Sequence, residues 1–191
     1  MQEFSWSCWP ETRMTEGDVA VVHETLSHAL PGIVRQDPLI KSDSAPLQVL
    51  VDWVIQNTPP ALYGAVVGQI VGAVCSAVRR MASGPATAAT RVDMGTATIE
   101  MNDASAGMHS SQMAGAAFEL AYQCAKRCVN TFGEPMEDLL NTGPSVAAGH
   151  SWPAPVHRVL MAWSEATKEW RVSQVDLVGR GGLYVPRRRT T

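Results

Sequence analysis

The chain has 191 residues, a net charge of −3 and 17 % charged residues against 46 % hydrophobic ones. That length is enough to bury one full core, so residues 1–191 are read as a single domain, and the low charge fraction points to surface covered by copies or partners. Four cysteines are too few for a disulfide scaffold, and MQEFSWSCWPETR has neither a basic n-region nor an apolar h-region; the expectation is synthesis in a reducing cytosol with no signal peptide.

In chain order, residues 1–14 read as an extended N-terminal arm or strand, with Phe4, Trp6 and Cys8 on one side and Ser5, Ser7 and Trp9 on the other. Thr15 and Asp18 form the pattern of a capping box ahead of a helix over 15–30, whose inner line is Val19, Val22, Leu26 and Leu30. A polar connection, RQDPLIKSDS, follows. Ser44 with Pro46 then predicts a second helix ending near Asn57, with Leu47, Leu50, Val51 and Val54 as its buried stripe.

The most apolar stretch is 61–78, ALYGAVVGQIVGAVCSAV, entered through Pro59-Pro60 and closed by Arg79-Arg80. It predicts a helix that is apolar all round, the centre of a helical part spanning 15–82. Gly64, Gly68, Gly72 and Ser76 recur every fourth residue and make a ridge almost without side chains, suited to close packing of another helix or another subunit. Each of the three glycines costs roughly 1 kcal/mol against alanine, so whatever packs there has to offset them. By length and flanks the same stretch is at the short end for a membrane span.

Residues 81–90 read as a small-residue linker and 91–101 as a strand, with Ala97, Ile99 and Met101 facing one way and Thr96, Thr98 and Glu100 the other. After a loop, a third helix is predicted over 112–132, its inner line Met113, Ala117, Leu120, Cys124 and Cys128, touching the glycine ridge. Residues 133–155 read as loop. Residues 156–164 and 170–178, separated by EATKE, predict a C-terminal hairpin that completes an α+β part over 90–178. No internal repeat is visible.

Chemistry-bearing candidates are sparse. Ser151 in GHSWP lacks the glycine of a nucleophile elbow, and Gly179, Gly181 and Gly182 lack the helix start and lysine of a phosphate loop. Cys124 and Cys128 sit one turn apart without a second ligand pair, and His23 and His28 are five apart, so neither set is read as a metal site. Glu100, Asp103 and His109, with Asp93, lie near a strand end and are the one constellation for acid–base chemistry.

Charge is unevenly placed: −5 over 1–60, −2 over 61–150 and +4 over 151–191. The tail at 179–191 ends in Arg187, Arg188 and Arg189, a cluster able to contact nucleic acid, lipid or an acidic patch on a neighbour. Trp6 and Trp9, beside Pro10, are candidate interface anchors.

The expected fold is α+β, a helical part with a central glycine-ridged helix on a small antiparallel sheet that includes the C-terminal hairpin. The expected function is a non-enzymatic self-assembling structural protein, a subunit of a viral or phage-like shell, connector or filament, with no cofactor and no metal. Its partners would be copies of itself, and nucleic acid through the arginines. Two alternatives stand beside it: a membrane-active protein that inserts 61–78, and a small enzyme using Glu100, Asp103 and His109.

Overall fold

The computed structural model describes residues 2–9, 14–37, 47–55, 58–82, 84–95, 97–103, 108–125, 156–177 and 183–184. In chain order the elements are β1 (Gln2–Trp9), α1 (Glu16–Ala29), β2 (Gly32–Gln36), β3 (Leu47–Val54), α2 (Tyr63–Arg80), β4 (Ala86–Asp93), β5 (Thr98–Asp103), α3 (Met108–Ala125), β6 (Val156–Ser164), β7 (Glu169–Leu177) and β8 (Leu183–Tyr184). The fold is α+β, and its sheet is mixed and eight-stranded, in the order β2-β1-β3-β4-β5-β6-β7-β8.

The first strand is no arm on a neighbour. Phe4, Trp6 and Cys8 alternate into the core, and β1 lies inside the sheet, parallel to β2 and antiparallel to β3. α1 starts at the capping box: the Thr15 hydroxyl accepts from the Asp18 N–H at 3.1 Å, and the Asp18 carboxylate accepts the Thr15 N–H at 3.0 Å. The buried Asp18 also accepts the Ala82 N–H at 2.7 Å, which ties the start of α1 to the exit of α2.

Three expectations from sequence need correction. The segment read as a helix from Ser44 to Asn57 contains β3, because Leu47, Val49, Val51 and Trp53 bury at period two and the β-branched and aromatic residues fill that phase. The linker at 81–90 contains most of β4, which turns at Gly95 (φ 79°) into β5, so the strand expected over 91–101 is the meeting of two antiparallel strands. The sheet is neither small nor antiparallel throughout: β1/β2, β3/β4 and β5/β6 are parallel pairs.

The third helix also begins earlier than expected and turns another side inward. Ser110, Ala114, Phe118, Ala121 and Tyr122 are buried, whereas Met113, expected inside, is 45 % exposed. Cys128, Ser151, the glycines at 179–182 and Arg187, Arg188 and Arg189 lie outside the described residues.

Each parallel pair is bridged by one helix, and all three helices lie on one face. Trp6 reaches His23 of α1, Trp53 packs on Tyr63 of α2, and Trp170 Nε1 donates to the Ser110 carbonyl of α3, all from the same side of the sheet. The units β1-α1-β2 and β3-α2-β4 are related by a rotation normal to the sheet, so they share one crossover hand. The unit β5-α3-β6 advances in the same direction as β3-α2-β4 with its strands reversed, so with α3 on the same face it has the opposite hand. Crossovers are right-handed in about 98 % of cases, so this layer contains at least one of the uncommon hand.

Between helices and sheet runs an aromatic series, Phe4 to Trp53 to Tyr63 to Tyr122 to Phe118, with ring centroids 6.3, 6.1, 5.1 and 6.0 Å apart. It joins β1, β3, α2 and α3, and such contacts are each worth about 0.5–1.5 kcal/mol beyond the area they bury. Above it α2 and α3 meet backbone to backbone. A Cβ on Gly64 would stand 3.0 Å from the Gly115 carbonyl oxygen, and one on Gly115 would overlap the Gly64 carbonyl oxygen. Gly68 is looser, with Ser111 O at 3.7 Å from its would-be Cβ. Gly115→Ala is therefore expected to lower stability by about 2 kcal/mol through overpacking, whereas Gly68→Ala leaves it unchanged or raises it by up to about 1 kcal/mol through helix propensity. Urea unfolding of the two variants checks the contrast; equal effects would refute the close contact.

Candidate functional site

The face of the sheet opposite the helices carries the second phase of every strand, and among the described residues no element packs on it. Its central row runs Ser5, Asp52, Arg91, Glu100 and Leu160 across β1, β3, β4, β5 and β6. Arg91 therefore stands between two carboxylates. Its Nε lies 2.7 Å from Asp52 Oδ1, and Arg158 Nη2 lies 3.2 Å from Glu100 Oε2. Gln48 reaches diagonally over β4 to donate to Asn102 Oδ1 at 3.1 Å, and Asn102 in turn donates to Glu100 Oε1 at 3.1 Å. That bridge passes over Ala89, which is only 1 % exposed although none of the described helices lies on that side.

Each of the four arginines described on this face has a carboxylate partner. Arg91 and Arg158 are paired as above, Arg35 meets Glu3 at 3.2 Å, and Arg171 meets Glu169 at 2.7 Å. A surface that attracts phosphate needs free positive charge. This one has its cations neutralised in place. Asp52 is held above the ordinary carboxylate range chiefly by burial; Arg91 opposes the shift, and Asp37 and Glu100 add to it.

Apolar side chains occur at both ends of the same face. Of the five exposed large hydrophobic residues among those described, Trp9 (40 %), Ile33 (41 %) and Val54 (46 %) lie here on β1, β2 and β3, with the half-buried Leu50 on β3 and Leu160 further across on β6. The other two, Leu62 and Met113, belong to the helical layer.

The sequence-derived candidates separate. Gly64, Gly68 and Gly72 face α3 within the chain. Ser76 is exposed and lines an open groove of about 550 Å³ between α1 and α2, with Glu24, Thr25, His28 and Arg80. Trp6 is wholly buried and donates to His23 Nδ1 at 3.3 Å, so it anchors the core and no outside partner; Trp9 is on the open face. Glu100 and Asp103 point to opposite faces of β5 and do not converge. Asp93 accepts the Gly95 N–H at 2.7 Å in the turn, and the His109 side chain lies outside the described residues. No group of three metal-ligating side chains occurs among the described residues.

A polar cluster that sequence reading missed lies in the core. Asp103, 1 % exposed, accepts from the Ser110 hydroxyl and from Cys75 Sγ at 3.6 Å, joining β5, α3 and α2. The signal was present: Asp103 is in phase with Ile99 and Met101, so an acid stood in the buried phase of a strand. All three side chains are buried. Burial, reinforced by Asp103, pushes the Cys75 thiol from 9.0 to about 12; burial and Asp18 do the same at Cys8.

Comparison with protein-family models, with curated proteins and with solved structures found no match.

Two outcomes are expected of the core groups. Asp103→Ala removes the acceptor that Ser110 and Cys75 share and should lower stability by about 2–3 kcal/mol, read from denaturant midpoints. The thiols are neutral in the folded chain well above the pH at which unfolded thiols ionise. Their contribution to stability is thus complete below about pH 9 and is lost as pH rises toward 12. A Cys8→Ala, Cys75→Ala double variant should lose that alkaline slope, and rapid alkylation of Cys75 in the native chain at neutral pH would contradict the assignment.

Proposed function

We propose that the protein is a non-enzymatic, self-assembling structural subunit, a building block of a shell, connector or filament whose main partner is its own copy. One observation carries the reading: a broad sheet with three parallel strand pairs has helices on one side only among its described residues. All-parallel sheets are covered on both faces; this mixed sheet also has four antiparallel pairs, and its uncovered side holds three of the five exposed large apolar residues among those described. The low charge fraction of the whole chain agrees with surface reserved for contact. The glycine-lined contact of α2 with α3 and the β6/β7 hairpin serve in this reading as the rigid frame that presents the face.

The segment Pro60–Arg80, with a mean hydropathy of 1.8, is long and apolar enough by composition to cross a bilayer. Eleven of the residues in α2 are buried against the sheet and the other helices, so insertion would require the core to open. A role for the C-terminal arginines in nucleic-acid contact rests on their sequence alone.

Light scattering after gel filtration should give a defined multiple of the 20.6 kDa chain at low and at high salt. A mass of one chain at every concentration would end the assembly reading. Flotation of that monomer with anionic vesicles would move the function to the membrane.

A further inference from the structure

We propose that the open sheet face is covered by the same face of a second copy, packed front to front about a two-fold axis along the strands. Arg91 of each chain then lies over a carboxylate of the other. This rests on the assembly reading above and names its contact.

A two-fold contact must be self-complementary, because the same patch supplies both sides. The central row meets that condition. Arg91 sits between Asp52 and Glu100, so an axis passing on either side of β4 sets Arg91 of one copy over an acid of its mate. All of these charges already have partners within the chain, and covering them strands no bare ion. Phosphate-bearing partners lack such a match, since the face offers no free cation among its described residues.

The size also fits. β1, β3, β4, β5, β6 and β7 are six to nine residues long. At ordinary strand spacing and rise they present roughly 650 Å² per copy, near the roughly 800 Å² per partner of a standard interface. Ile33 on β2 extends it, beside Trp9 and Val54 on β1 and β3. The elevated pKa of Asp52 is consistent with a carboxyl that gains from a second guanidinium.

The test uses opposite charge reversals in the full chain. Arg91→Glu makes the row wholly acidic, and Asp52→Arg with Glu100→Arg makes it wholly basic. Each should weaken self-association by about 100-fold or more, because the face now meets its own charge. An equimolar mixture of the two should form a mixed pair by light scattering and native mass spectrometry. Thr98→Arg, which adds a long cation to the half-buried rim of the face without removing any pair, guards against misfolding of the reversals and should also dissociate the pair. The result that overturns the contact is a wild-type chain that assembles while all three variants associate as tightly as it does; the assembly reading then survives on another surface. A wild-type chain that never associates removes both.

Discussion

Two backbones touching without a side chain between them set the rest of this molecule. Gly64 and Gly115 let α2 and α3 approach until carbonyl and Cα are in contact, and the aromatic series beneath them is spaced by that approach. A methyl on Gly115 would overlap the facing backbone, and one on Gly64 would press on the Gly115 carbonyl oxygen at 3.0 Å. The three parallel pairs beneath the layer are positioned in turn by the helices that bridge them. A close helix contact thus governs a sheet that it touches only through side chains.

Much of this was legible in the residues, and the failures have physical causes. The capping box at Thr15 and Asp18 is local chemistry, and it forms where the spacing says. The stretch 47–54 satisfies two periods at once: Leu47, Leu50, Val51 and Val54 fit a helix, and Leu47, Val49, Val51 and Trp53 fit a strand. Pairing with β1 and β4 decided between them, and pairing is not local. β4 was unreadable for a different reason. Its alanines resemble a linker, but Ala88 and Ala89 are small because α2 packs closely on one side and the Gln48–Asn102 bridge crosses the other.

The candidate face was the least visible feature, since a face is a property of pairing order. Asp52, Arg91 and Glu100 lie at three unrelated places in the chain and become neighbours only through register. Single residues gave little warning, and Trp6 even pointed the wrong way: its indole belongs to the core, whereas Trp9, three residues on, faces outward.

The crossover hands bear on why that face is open at all. With right-handed crossovers alone, this strand order would divide the helices, two on one side and one on the other, and the sheet would be an ordinary filled sandwich. Keeping the three together means that helix packing prevailed over handedness. The contact of Gly64 with Gly115 thus exists only because the crossovers differ in hand: with a single hand throughout, α2 and α3 would stand on opposite sides of the sheet and could never meet.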